Sequence, residues 1–190
     1  MRELIYDKTF KAIEFDKRMA SNDYEECTFI NCLFTQVQLS DIVFTTCEFE
    51  SCDFSNAKLR NASFQEAVFL NCKMLGMHFE ACNPFLLAFS FYSCTLNFSS
   101  FYKLKLKDSQ FKNCNLQEAD FTESDASGVD FDNCDLTGAT FEETNLIAAD
   151  LSSSYGFILD PELNKIKGAK FSKEGVLGLL HKYHILVEDN

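Results

Sequence analysis

The sequence predicts an all-β chain wound as a square coil, each turn of twenty residues stacked on the last, with a short α-helix at the C-terminal end. Three observations carry this reading. Large apolar residues recur every five positions over most of the 190 residues. A small or medium residue stands two positions before each of them. Gly, at 7, and Pro, at 2, are too scarce for a fold built on tight hairpins.

The large residues form two runs. The first is Phe29, Phe34, Leu39, Phe44, Phe49, Phe54, Leu59, Phe64, Phe69, Met74 and Phe79; the second goes from Leu96 and Phe101 through Phe121 and Phe141 to Leu151. The positions two before these centres hold residues such as Cys27, Cys32, Ala62, Cys94, Ala119 and Cys134. A period of five fits neither a helix nor a plain strand. A chain that buries two residues of every five must turn a corner within each five, and four corners close a square. Coils then stack at the ~4.8 Å interstrand spacing, each pairing its backbone with the coils above and below.

The register breaks twice. Phe79 to Leu96 is 17 residues, three fives plus two, so two extra residues interrupt the stack within 80–95, around Asn83-Pro84-Phe85; Pro suits a corner because it cannot donate to the ladder. Phe10 and Phe15 start an early partial coil, and a small loop is expected near 16–23.

The pattern, as in Ala119-Asp120-Phe121-Thr122-Glu123 and Cys134-Asp135-Leu136-Thr137-Gly138, resembles that of the pentapeptide repeat family over about residues 27–153. The resemblance implies a right-handed quadrilateral parallel β-helix. It points further to the quinolone-resistance (Qnr-like) branch, whose members are acidic rods of duplex-DNA width. A C-terminal helix joins two such rods end to end, and they occupy the DNA-binding saddle of type II topoisomerases. Qnr-like members from Gram-negative bacteria carry longer loops that contribute to protection, whereas the interruptions here are short.

All nine Cys fall on the small-residue register, Cys82 if the first phase continues past Phe79. Steps of twenty stack Cys32, Cys52 and Cys72 in one column and Cys94, Cys114 and Cys134 in another. A free thiol in such a column is a small buried hydrophobe. The odd count and the absence of an apolar leader in the first residues point to a reducing, cytoplasmic setting. The sequence has no C-x-x-C, and its three His stand far from the columns, so neither metal nor cofactor is expected. Phosphate-binding glycine loops and nucleophile elbows are missing too, so an enzyme is not expected. His78 precedes a centre and should point outward, and the Asn61-Ala62-Ser63 and Asn97-Phe98-Ser99 triplets are repeat residues.

The composition bounds the partners. With 17 basic and 29 acidic residues, the net charge of -12 argues against direct nucleic-acid binding. No apolar stretch is long enough for a membrane span. The acids concentrate before the centres at Asp120, Asp125, Asp130, Asp135 and Asp150, and Asp120, Glu123, Glu142 and Glu143 share one face as a candidate partner-binding surface. Lys103, Lys105 and Lys107 form a short basic strip.

The coil is expected over 1–171, with 165–171 a last degenerate turn. The segment 172–190 then caps or dimerises. Ser172 can N-cap a helix over 173–182, whose stripe of Val176, Leu177, Leu180 and Tyr183, with Ile185 following, must pack on the last coil or on a second copy. The functional expectation is a homodimeric acidic rod that binds DNA gyrase or topoisomerase IV by mimicking duplex DNA. The alternative is a general structural or interaction solenoid with another partner.

Overall fold

Putting two side chains of every five inside forces the backbone through a tight corner, and the chain makes that corner with left-handed residues. In the computed structural model, which describes residues 3–17, 19 and 22–188, the second residue after a centre repeatedly has positive φ. Asn31, Asn71 and Asn133 all sit at φ 53, and Gly76 and Gly138 fill the same role. Asn takes this conformation readily, but Glu26, Thr46 and Glu143 adopt it too. Each such residue costs about 1–2 kcal/mol. The chain can carry that cost because the corner lets the flanking backbone join ladders on both sides. That is how a fold with a corner every five residues manages with 7 glycines.

The result is a right-handed quadrilateral parallel β-helix of about eight turns with one short C-terminal helix. One face is a sheet of seven parallel strands: β2 (Thr9–Lys11), β4 (Thr28–Ile30), β6 (Glu48–Glu50), β8 (Ala67–Leu70), β9 (Phe89–Tyr92), β10 (Gln110–Lys112) and β11 (Phe131–Asp132). A second face is built from β1 (Leu4–Tyr6), β3 (Asp23–Glu25), β5 (Val43–Thr45) and β7 (Ser63–Gln65). Near the other end β12 (Asp150–Leu151) pairs with β13 (Lys170–Phe171). The remaining faces are joined by isolated parallel bridges such as Asp53 with Lys73 and Asp120 with Thr140.

The centres fill the axis as columns of stacked rings. Phe29, Phe49 and Phe69 lie 4.9 Å apart in turn, and Phe101, Phe121 and Phe141 stack at 5.0 and 5.1 Å. Neighbouring columns meet edge to face, as Phe121 meets Phe131 at 89°, an arrangement the ring quadrupoles favour.

Both register breaks take definite forms. β8 and β9 pair Phe69 with Phe91, a step of 22 where β6 and β8 step 20. The Asn83 N–H still donates to the Ala62 carbonyl in the old register, and the Ala88 carbonyl accepts from the Ala67 N–H in the new one. The two extra residues therefore lie within 84–87, where Phe85 and Leu86 bulge into solvent and Leu87 turns in. Cys82 keeps the first phase and is buried.

The early break is a deletion instead. Phe10 pairs with Phe29, a step of 19. Met19 and Tyr24, inside the expected loop or next to it, are buried core residues, so Phe15 to Met19 is a four-residue side of the coil. Residues 18, 20 and 21 of that expected loop lie outside the described residues.

The shift of two also corrects the cysteine columns. Cys32, Cys52, Cys72, Cys94, Cys114 and Cys134 form one column of six, because the insertion brings Cys94 above Cys72. Each thiol donates to a centre carbonyl in the coil before: Cys52 to Phe29 at 3.3 Å, Cys72 to Phe49 at 3.2 Å, Cys94 to Phe69 at 3.4 Å. At other small positions hydroxyls and an amide do the same, Ser99 to Met74, Thr144 to Phe121 and Asn164 to Phe141. The small position thus excludes bulk and also supplies a donor to an otherwise buried carbonyl. All nine Cys are buried free thiols. Burial pushes Cys47 up to about 12.

At the C-terminal end the regular helix is α1 (Val176–Leu180), shorter than the expected 173–182. Ser172 does act at its start, its Oγ accepting the Gly175 N–H at 2.8 Å. The face turned to the coil is not the predicted stripe. Gly175 and Gly178 lie against Phe157, a Cβ on Gly175 falling 2.8 Å from its ring and one on Gly178 meeting its carbonyl oxygen, and Leu179 packs on the core. Two glycines set the close approach, so the helix docks on its small side and leaves Val176 and Leu177 outside. Phe157, off the five-residue register, and Leu159, at a small-residue position of it, complete the buried end.

Candidate functional site

Stacking fixes which charges meet. A side chain on the outer wall has as its nearest neighbour the residue one coil along, and lysines take carboxylates there. Lys73 reaches Asp53 at 3.5 Å, Lys103 reaches Glu123 at 3.2 Å, Lys112 reaches Asp132 at 2.8 Å and Lys170 reaches Asp150 at 2.8 Å, each pair twenty residues apart. Lys182, at the end of the helical segment, bridges Asp160 at 2.7 Å and Glu162 at 2.8 Å. Exposed pairs of this kind add at most about 1 kcal/mol each. Their consequence here is electrostatic, because they cancel part of the acidic surface in specific places.

The four predicted acidic residues therefore differ. Glu123 is engaged, accepting the Tyr102 hydroxyl at 2.9 Å besides its ion pair with Lys103. Asp120 is half-buried and holds the Thr122 N–H at 2.9 Å, a turn contact within its own repeat. Glu142 and Glu143 are exposed and, among the described residues, form no ion pair. Glu142 also lines a hollow of about 250 Å³ shared with Gly178, His181 and Lys182 of the C-terminal cap, so it adjoins the tail.

On the next wall, Asp130, Asp132, Lys107, Lys112 and Tyr92 line a shallow cleft of about 600 Å³. Partial burial, Asp150 and Asp132 raise the carboxyl of Asp130 above its usual range. The Lys170 ammonium, with the Ser152 hydroxyl and N–H, holds Asp150 down at about 2. Lys105 and Lys107 lie apart from Lys103, which is drawn to Glu123, so the basic strip is broken. The His78 imidazole is exposed and bonds Glu80 at 2.8 Å.

The predicted tail residues are divided as well. Leu177, Leu180 and Ile185 come together, with His181, His184 and Val187, around an apolar groove of about 420 Å³. Val176 and Tyr183 stand outside that lining; Tyr183 turns towards Glu162 at 3.4 Å. Leu186, at 94% exposed, is the most open of the large apolar side chains there.

Among the described residues no group of three or more His, Cys, Asp and Glu could hold a metal ion, and no helix is long and apolar enough to cross a membrane. The signal missed in the sequence is the step of twenty applied to charge. It pairs Asp53 with Lys73 and Asp132 with Lys112 directly, and so shows which acids remain free.

The repeat itself decides the family. The family description "Pentapeptide repeat region" matches residues 42–121, and "Pentapeptide repeats (8 copies)" matches 114–152. The chain belongs to the pentapeptide repeat family. That is a family of structural and interaction solenoids rather than typical enzymes. Among solved pentapeptide repeat structures, the chain is similar to full-length QnrB1, a plasmid-mediated fluoroquinolone resistance protein, with 20% identity, 96% of this chain and 100% of that one covered and a TM-score of 0.48. It is also similar to HetL, involved in heterocyst differentiation regulation in the cyanobacterium Nostoc sp. strain PCC 7120, with 13% identity, coverage of 89% and 83% and a TM-score of 0.41. A pentapeptide repeat protein of the Arabidopsis thaliana thylakoid lumen shares 20% identity over 76% of this chain and 88% of that one, with a TM-score of 0.25. No curated protein matches the sequence.

Proposed function

We propose that this pentapeptide repeat protein is a non-catalytic binding rod whose free carboxylates dock on a cationic protein surface. The observation that carries the reading is the placement of Glu142 and Glu143. Both are exposed and without a lysine partner among the described residues, and Glu142 lines a hollow against the tail, next to its apolar groove at His181. A twofold contact through Leu177, Leu180 and Ile185 would set two such carboxylate pairs on either side of the junction and double the local field. The DNA-binding saddle of DNA gyrase or topoisomerase IV is the partner we name, on the resemblance to the Qnr-like branch.

The test is inhibition of DNA supercoiling by gyrase at low salt, comparing the parent with a Glu142→Gln, Glu143→Gln variant. The expected result is inhibition by the parent that weakens with added salt and weakens further in the variant, at unchanged melting temperature. No inhibition by the parent removes the topoisomerase. Equal inhibition by both keeps the partner and removes this face.

The lysine–carboxylate pairs favour a second reading. Glu123, Asp132 and Asp150 are each neutralised by a lysine one coil away, which interrupts any continuous acidic strip. A general interaction solenoid with a different partner needs no such strip. A gyrase-free result together with a salt-sensitive complex with another cationic protein would establish it.

A further inference from the structure

The chain has three histidines, and two of them meet in the tail. Helix α1 runs into a single tight turn, His181–Tyr183, and His184 ends it at φ 50. That left-handed residue folds the chain back and brings the two imidazoles together, with ring centroids 6.1 Å apart and ring planes at 61°. Both rings are exposed. Among the described residues their nitrogens take part in no hydrogen bond or ion pair, whereas the third histidine, His78, is bonded to Glu80. A neutral imidazole keeps a ring-nitrogen lone pair for a metal. Two imidazoles on one tetrahedral zinc ion stand with their centroids ~5 Å apart, given a Zn–N distance of ~2.0–2.1 Å. The remaining difference, about 1 Å, lies within the reach of side-chain rotation.

One chain supplies only half of such a site. Among the described residues no third His, Cys, Asp or Glu joins the pair in a group able to hold a metal ion. The two histidines line the apolar groove together with Leu177, Leu180, Ile185 and Val187. In the twofold contact proposed for the tail, that groove is the surface two copies share. Each copy then brings its histidine pair to the same axis, and two bidentate halves make a full tetrahedral shell.

We propose that zinc bridges two copies of this chain at the tail, held by His181 and His184 of each. The inference rests on the tail contact of the proposed function and adds to it the ion that holds the contact closed. It is independent of any topoisomerase. Four imidazole nitrogens match the tetrahedral preference of zinc. They offer nothing to Mg2+, a hard cation that takes oxygen ligands. The apolar side chains around the pair are buried by the same closure, so metal binding and hydrophobic contact act together. Because the ion finds four ligands only in the paired form, it favours that form by mass action.

The test is sedimentation equilibrium of the full chain in EDTA, then with Zn2+ at one ion per two chains, then with Mg2+, alongside zinc titration calorimetry. Zinc should lower the dimer dissociation constant about tenfold or more, with a stoichiometry of one ion per two chains, and Mg2+ should do nothing. The double variant His181→Gln, His184→Gln should lose the zinc response at an unchanged melting temperature, because both side chains are exposed. Zinc bound at one ion per chain with no gain in mass overturns the proposal. A zinc-driven dimer that survives the double substitution overturns it too, since the ligands then lie elsewhere. A dimer that forms equally in EDTA and in zinc removes the bridge and keeps the tail contact. A chain that is monomeric in EDTA and dimeric in zinc supports the bridge and removes the metal-free contact.

Discussion

Removing the Phe121 ring should cost more than removing an equally large ring near the end of the coil. Phe121 is fully enclosed. It is stacked between Phe101 and Phe141 at 5.0 and 5.1 Å and meets Phe111 and Phe131 edge to face at 6.1 and 5.6 Å. Phe→Ala in a core costs about 3–5 kcal/mol, more where the site cannot collapse. Collapse is blocked here, because the rings above and below are held at a spacing set by backbone ladders such as Phe121 N–H to Thr140 and Asp120 N–H to Ser99. The upper part of that range, about 4–5 kcal/mol, is therefore expected. At about 2–4 °C per kcal/mol for a chain of this size, the melting temperature should fall by about 10–20 °C. Phe171, only partly buried and with Phe157 as a tilted neighbour at 5.8 Å, should lose about half as much on the same change. Thermal and guanidinium unfolding followed by far-UV circular dichroism measures both. Equal losses at the two positions, or a Phe121→Ala protein that melts like the parent, would refute the rigid-column reasoning.

Gly178→Ala forces a Cβ into the Phe157 carbonyl oxygen. It should undock the helix at a cost of about 1–3 kcal/mol, seen as faster proteolysis after Ser172 with the coil intact. Asp150 sits at about 2 against an ordinary value of 3.8, held there by Lys170 and Ser152. Because its folded value is the lower one, its contribution is present above pH ~4 and is lost as pH falls towards ~2. In Lys170→Met its carboxyl titration, followed by NMR, should move up, and an unmoved titration would show that the lysine is not the cause. The six-thiol column should resist thiol reagents in the native state and label fully in denaturant; rapid native labelling of Cys114 would contradict its burial.

The coil was legible because one short period controls everything that enters the core. Phe29 through Phe79 and Leu96 through Leu151 all face inward as expected. What escaped was whatever the period does not control. The deletion before Met19 was hidden because a four-residue side still ends on an apolar residue. The insertion could be bracketed from the phase of Phe79 and Leu96, but placing it within 84–87 needed the backbone hydrogen bonds on either side. Which side of the helix meets the coil was not legible from its apolar stripe, because Gly175 and Gly178 make the small side the one able to approach Phe157. Hydrophobicity ranks what gains from burial; close approach is decided by what is small.

The acidic surface shows the same limit from the electrostatic side. A net charge of -12 says little about where a cationic partner can dock, because in a stacked coil every exposed charge is read against the residue one turn away. Asp132 and Glu123 each stand two residues from another acid, Asp130 and Asp125, yet each is paired by a lysine in the preceding coil. Glu142 and Glu143 stay free because the step of twenty, kept at Asp135 with Tyr155 and Asn145 with Lys165, gives them Glu162 and Leu163 as axial neighbours, neither of them a cation. Exposed charges without an ion pair among the described residues also stand along the walls, Lys58, Glu66, Lys105 and Glu118 among them, so the pairing along the stack is selective.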